Sequence, residues 1–272
     1  MHSGFNMKKY VIIIALSLGL IACNEYQKIL KSDDPEFKYT KAVEYFEKKD
    51  FLKATTLFDE ISRYFRGTER SEQILIYIAK SYVGQKDYTT ASEYFKTYVK
   101  TYPKGTLVIE ARYMIGYCYY MESPDARLDQ EATKNAISAF QEFLDIHPES
   151  ERVPDVNKLL DEMKSKLAYK EYLSAKLYYN LGNYLGNNYL AAVITAQNAL
   201  KNYPTNSYKE ELSYIILQAK YQQALQSVEE KKIERYRDTL DEYYNFINEY
   251  AESKFKKDAD RILNDVKKVI KE

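Results

Sequence analysis

The chain has no tryptophan, two cysteines, two histidines, eight glycines and six prolines among its 272 residues. So few turn-forming residues exclude a β-sandwich or barrel, whose many strand ends need them. Neither sign of charge dominates, since 40 Lys and Arg balance 40 Asp and Glu. A nucleic-acid binder carries a basic excess, so no nucleic acid is expected as a partner. Cys23 and Cys118 are too few for a disulfide framework, and no Cys/His cluster has metal-ligand spacing. The sequence also lacks a phosphate loop, a G-x-S-x-G elbow and an H-E-x-x-H helix. Its many carboxylates fall on amphipathic stretches as a solvated face. No catalytic residue and no metal ligand is therefore assigned, and the chain is read as a non-enzyme.

Long hydrophobic runs are scarce as well. The longest, Val11 to Ala22, follows Met7, Lys8 and Lys9 and falls short of the ~20 residues that a helix needs to span a bilayer. Its length suits the apolar core of a signal peptide instead. It ends in Leu20-Ile21-Ala22-Cys23, which resembles a bacterial lipobox. On that reading residues 1–22 are removed as a lipoprotein signal peptide. The Cys23 thiol receives diacylglycerol and further acyl chains, with no other cofactor expected. Each buried CH₂ contributes ~0.8 kcal/mol, so two or three chains hold a protein stably on a membrane where one would not. Residues 23–34 follow as a lipidated polar tether, and Asp34-Pro35 is a helix-start signal.

Tyrosine, by contrast, is abundant, with 29 copies, and most of them recur at a fixed period. Tyr45, Lys49, Asp50, Ala54 and Phe58 return 37 residues later as Tyr82, Lys86, Asp87, Ala91 and Phe95, and Tyr82 returns as Tyr119. After an insertion the pattern continues as Ala136, Phe140, Phe143 and Pro148, matching Ala91, Phe95, Tyr98 and Pro103. Looser copies follow at Tyr189, Ala192, Ala196, Ala199 and Pro204, and at Tyr236, Thr239, Tyr243, Phe246 and Ala251. Such spacing describes a helix, a tight turn and a second helix. The small residue lets the two helices approach, the aromatics form one buried stripe, and proline stops the second helix. This is the tetratricopeptide pattern.

The fold predicted is thus all-α: a tetratricopeptide-repeat superhelix of about five helix-turn-helix repeats. Residues 35–150 hold repeats one to three. Residues 151–272 hold a linking helix, repeats four and five, and an apolar-faced helix ending near Ile270 that caps the array. Between the helices of repeat four, Gly182 and Gly186 are expected at turns or close contacts. The histidine outside the signal peptide, His147, sits at a helix end, where the helix dipole would favour its cation.

A tetratricopeptide array offers a groove lined by the first helix of each repeat. Counting from Tyr45 and Tyr82 sends Glu36, Tyr39, Val43 and Phe46 to that face in repeat one, and Gln73, Ile76, Lys80 and Val83 in repeat two. In repeat three it sends Glu110, Tyr113, Tyr117 and Tyr120. Tyr39, Phe46, Lys80, Tyr113, Tyr117 and Tyr120 are the candidate peptide-binding residues, suited to an extended segment with aromatic side chains. The competing expectation is that some of these rings only pack on the next repeat.

The insertion sharpens the resemblance. Ser123-Pro-Asp-Ala-Arg-Leu-Asp-Gln-Glu-Ala-Thr133, followed by the Phe140-Gln-Glu-Phe143 stripe before Pro148, is similar to the YfiO-like (BamD) family of outer-membrane assembly lipoproteins. That resemblance implies a chain held by its lipid on the periplasmic face of the outer membrane. It implies C-terminal repeats docked on the POTRA region of a BamA-like barrel-forming subunit, and N-terminal repeats that receive unfolded outer-membrane protein. Ala251 in place of the repeat proline and the stretched Gly/Asn turn of repeat four depart from the repeat pattern. A repeat lipoprotein coordinating peptidoglycan or Tol-Pal-type machinery with outer-membrane biogenesis is the alternative. A glycan-capturing lipoprotein is disfavoured by the missing tryptophan.

Overall fold

The computed structural model describes residues 25–270. Residues 1–22, read as a signal peptide, and Cys23 lie outside this range. Among the described residues there are eleven helices beyond a short helical stretch at 25–30, and no strand. They are α1 (Pro35–Glu47), α2 (Phe51–Ile61), α3 (Glu69–Gly84), α4 (Tyr88–Thr101), α5 (Val108–Glu122), α6 (Glu131–Ile146), α7 (Val153–Leu181), α8 (Asn188–Asn202), α9 (Lys209–Leu225), α10 (Glu229–Glu249) and α11 (Lys256–Ile270). Neighbouring helices from α1 to α5, and again from α7 to α11, pack on one another, as the repeat spacing predicts.

The chain divides into two compact units. The first comprises the residues up to Glu122 together with Glu142–Arg152; the second comprises Ser123–Gln141 and Val153 onward.

In the first unit the repeat positions are the core. Ala54 and Ala91 are fully buried, as are Phe58, Phe95 and Tyr98. A side chain larger than Ala at 54 or 91 would hold the paired helices apart, which is why the small residue recurs there. The turns repeat too: Lys49 and Lys86 both adopt the left-handed conformation, at φ 61° and 63°. Each precedes an aspartate that starts the next helix, and Asp87 accepts from the Thr90 amide at 3.0 Å. Asp34 caps α1 by accepting from the amides of Glu36 and Phe37 at 2.9 and 3.2 Å, with Pro35 in the first turn. At the end of α3 the Phe51 ring occupies the space that a Cβ on Gly84 would need.

Within the segment read as a polar tether, residues 25–30 are helical and Ile29 is 2% exposed in the same core as Phe58. Tyr26, Ile29 and Leu30, three and four apart, give this turn an apolar face. Tyr26 meets Tyr45 edge-on at 5.6 Å. The Lys38 ammonium, itself buried, donates to the Leu30 carbonyl at 2.8 Å and pairs with Glu60.

The second unit contains a single helix of 29 residues, α7, which merges the expected linking segment with the first helix of repeat four. Its buried face continues through Val156, Leu160, Met163, Leu167, Ala168 and Ala175. Where the first unit buries aromatics at the repeat positions, the α7–α8–α9 core buries Ala192, Ala196 and Ala199 against Leu212, Ile215 and Ile216. The last helix packs Ala259, Ile262 and Val266 against Tyr243 and Phe246, as a capping helix should.

The insertion between α5 and α6 is organised by one amide. Gln130 is 2% exposed, and its Nε2 donates to the carbonyls of Asp125, Leu128 and Asp129 at 2.8, 3.2 and 3.2 Å. Its Oε1 accepts from the Thr133 hydroxyl at 2.7 Å. Two lysines of α7 brace the loop, Lys166 on the Ser123 hydroxyl at 2.7 Å and Lys170 on the Leu128 carbonyl at 2.7 Å. Of the sequence signature, Gln130 thus satisfies the loop's carbonyls, Asp129 accepts from the Glu131 amide at 2.8 Å, and Thr133 fixes the Gln130 amide oxygen.

Cys118 is fully buried on α5, and burial, aided by Glu122, pushes its thiol up to about 12. Since the thiolate is the reactive form, the folded chain should resist iodoacetamide at pH 8 and label only as denaturant unfolds it. Labelling at native-state rates comparable to a free thiol would contradict this packing.

Candidate protein-interaction site

The first helices of repeats one to three all lie in the first unit. On α5, Tyr113, Tyr117 and Tyr120 form a ladder of near-parallel rings, with centroids 6.1 Å apart at each step and interplanar angles of 22° and 28°. Spacings of four and three residues on a helix place them on one side. The ladder is graded in depth. Tyr113 is buried and meets the Phe143 ring edge-on at 6.3 Å, with the Arg152 guanidinium 4.6 Å above its centroid. Tyr117 and Tyr120 are half-buried. Arg152 also bonds Glu110 at 2.9 Å, which fixes the cation over the ring. A stacked, partly exposed tyrosine row presents π-faces and hydroxyls together, which suits extended peptide carrying aromatic side chains.

The residues picked from repeats one and two are placed differently. Tyr39 packs edge-on to Phe58 at 6.1 Å and against Phe65 at 5.8 Å. Its hydroxyl donates to Gln73 at 2.8 Å, and the Arg70 guanidinium sits 4.8 Å over its ring. Burial raises the Tyr39 phenol above its ordinary range, with Tyr77 adding to it. Phe46 lies between Phe51 at 5.7 Å and Tyr77 at 4.9 Å. Both rings therefore stitch repeat one to repeat two, and Lys80 is half-buried on α3. The geometry joins Tyr113, Tyr117 and Tyr120 into one feature and Tyr39 and Phe46 into a separate packing cluster.

His147 overturns one expectation. Its ring packs on Phe143 at 5.5 Å, and burial together with the Arg112 charge lowers its basicity below the usual imidazole value. The helix-end position was expected to favour the cation; desolvation and a nearby guanidinium outweigh the dipole, so the ring is neutral at pH 7.

On the second unit, a cleft of about 350 Å³ is lined by Tyr179, Tyr214, Tyr221, Asp258 and Asp265, among others. Burial pushes the Tyr214 and Tyr221 phenols up to about 12, with Asp258 and Asp265 contributing. These hydroxyls are donors at any physiological pH. Tyr221 donates to Asp265 at 3.1 Å, so the cleft wall is already hydrogen-bonded within the unit. Among the described residues no group of three or more His, Cys, Asp or Glu could hold a metal, and no helix is long and apolar enough to cross a membrane.

Residue counting missed the α7–α8 turn. It was read only as a Gly/Asn connection, with Gly182 in the left-handed conformation at φ 57°. Yet Tyr184 and Leu185 within it stand 69% and 91% exposed. The signal available in the sequence was the lack of any charged residue from Leu177 to Leu200.

Comparison with known proteins fits this architecture. A family model described as outer membrane lipoprotein, YfiO, matches residues 31–186 and 181–271. The chain is 27% identical over 250 residues to a putative outer membrane protein assembly factor BamD of Aquifex aeolicus, covering 90% of this chain and 78% of that protein. It is 24% identical over 184 residues to the outer membrane protein assembly factor BamD of Caulobacter vibrioides, covering 68% of this chain and 59% of that protein.

Proposed function

Because this chain belongs to the YfiO family of outer membrane lipoproteins, we propose that it is a non-catalytic scaffold subunit of the machinery that assembles outer-membrane β-barrels. Its relatives of that family bear the name of outer membrane protein assembly factor. The lipid on Cys23 holds it at the periplasmic face of the outer membrane. The second unit docks the POTRA region of a BamA-like barrel-forming subunit, and the first unit receives unfolded outer-membrane protein. The observation that carries the reading is the family match, over residues 31–186 and 181–271, which takes in α1 to α11.

The tyrosine ladder of α5 supports the substrate half of the proposal. An unfolded barrel strand alternates aromatic and aliphatic side chains with polar ones. A row of π-faces with phenol hydroxyls accepts such a segment with little sequence demand, as a subunit serving many substrates requires. Tyr113 is core, so substrate contact falls on Tyr117 and Tyr120.

Purification of the full-length chain through a C-terminal tag from gently solubilised membranes, with mass spectrometry of what accompanies it, tests the proposal. A barrel-forming subunit with POTRA domains is expected. Recovery only of peptidoglycan-linked or Tol-Pal-type proteins would replace the proposal with the coordinator reading.

A further inference from the structure

Only Asn24 separates Cys23 from the helical stretch that begins at Glu25, a reach of at most about 7 Å even for fully extended chain. That stretch is fastened to the first unit. Ile29 is buried in the core around Phe58, Tyr26 meets Tyr45, and the Leu30 carbonyl accepts from Lys38. The stretch therefore runs back along α1 and begins beside the α1–α2 turn. The first turn of α2 comes to the same place, with the Lys53 ammonium 5.5 Å from the centre of the Tyr26 ring and 5.1 Å from that of Tyr45. A lipid on Cys23 is thus joined to the fold at the tip of repeat one, with almost no slack.

The tip has the composition of a headgroup contact. Lys48 and Lys49 are exposed in the α1–α2 turn, Lys86 is exposed in the equivalent α3–α4 turn, and Leu52 is 69% exposed. The second tip adjoins the first, since Gln85 donates to the Thr55 hydroxyl at 3.0 Å and Gly84 lies against the Phe51 ring. Most carboxylates at this end are engaged: Asp50 pairs with Lys53, Glu44 pairs with Lys41, and Asp87 accepts from the Thr90 amide. Glu25, which faces Lys41, and the exposed Glu47 remain. Against them stand Lys48, Lys49 and Lys86, which form no ion pair among the described residues. Lysine also occupies both left-handed positions, at φ 61° and 63°, where glycine would stand at less cost.

We propose that the tips of repeats one and two seat the first unit on the anionic phospholipid headgroups of the leaflet that holds the Cys23 lipid. Lysine stems lie along such an interface with their ammonium groups at the phosphates, and an exposed leucine settles at the acyl boundary. A protein partner fits less well, because lysine is depleted from protein–protein contacts. A few lysines hold a chain only loosely on an anionic surface. The lipid makes the contact effective by confining the tip to the headgroup layer, which raises its local concentration. The proposal rests on Cys23 carrying the lipid and deepens that part of the functional reading: the anchor orients the first unit as well as retaining it.

The chain has no tryptophan, so Leu52→Trp places a single reporter at the tip. Tyr64→Trp places one past the opposite end of α2, at a position 57% exposed. The full-length lipidated variants are reconstituted in phosphatidylcholine vesicles containing phosphatidylglycerol, with brominated lipid as the quencher. Quenching at position 52 is expected to exceed that at 64 by about twofold or more. The difference should shrink in pure phosphatidylcholine and in about 0.5 M salt. Neutralising the tip as Lys48→Gln, Lys49→Asn and Lys86→Asn, asparagine being tolerated in the left-handed region, should remove roughly half of the quenching at 52, with the thermal midpoint unchanged. Equal quenching at both positions, or none at 52 while the chain stays on the vesicles, would overturn the proposal and leave the lipid anchor intact. Quenching at 52 that ignores the lysines, the salt and the anionic lipid would overturn it too. So would p-benzoylphenylalanine at position 52 that cross-links in cells only to protein. Mass spectrometry showing Cys23 unmodified in the membrane-purified chain would remove the anchor and the proposal together.

Discussion

Replacing Cys23 with alanine should move nearly all of the chain from the membrane fraction to the soluble periplasmic fraction. The expectation follows from how hydrocarbon burial adds up. At ~0.8 kcal/mol per CH₂, one acyl chain gives only reversible attachment, while two or three give a residence long enough to be called an anchor. Alanine has no thiol to receive any of them. None of the described helices is long and apolar enough to take over, so what remains is docking to other subunits. The measurement is fractionation of cells expressing the variant, carried out with the barrel-forming subunit depleted so that protein contacts do not mask the result. Persistence of the variant in membranes under those conditions would defeat the anchoring argument.

Truncating Phe58 to alanine should cost ~3–5 kcal/mol of stability in the first unit, the range for deleting a buried aromatic side chain. Phe58 is fully buried. It stacks on Tyr77 with centroids 5.1 Å apart and planes 4° from parallel, and it receives the edge of Tyr39. Its loss empties space shared by three helices at once, so the site has little freedom to collapse around the cavity. Repeat arrays are held by neighbour-to-neighbour contacts, so the damage should be local. Hydrogen exchange of the full chain should accelerate across α1 to α3 while α9 to α11 keep their protection. Uniform loss in every helix would mean that the array behaves as one cooperative block; no loss would remove Phe58 from the core.

Much of this architecture was legible because the repeat positions serve packing alone. Ala54, Ala91 and Ala136 could be aligned by spacing, and each is fully buried. A small residue recurring where helices cross has one physical meaning, so pattern and contact coincide. The same holds for α7, whose apolar face keeps helical spacing from Val156 through Ala175 without a break. The candidate site was harder to read. Counting within a repeat places Tyr39 and Tyr113 on equivalent faces but says nothing of what stands opposite. Gln73 and Arg70 happen to fasten Tyr39 in place, and Arg152 lies over Tyr113, so both rings are already engaged within the unit. His147 was misread for a related reason: the dipole is visible in the chain order, whereas Arg112 comes near only through folding. Residues 25–30 looked polar because three apolar side chains among charged ones make a weak signal until a core is there to receive them.

The unbroken run of α7 also matters mechanically. At 1.5 Å per residue its 29 residues make a strut roughly 43 Å long. Midway along, Lys166 and Lys170 grip the loop built around Gln130, and the far end opens into the turn that carries Leu185. A rod without a hinge transmits displacement instead of absorbing it. Seizing the tip therefore pulls on the loop as well, as a load at the end of a rod is felt at its middle.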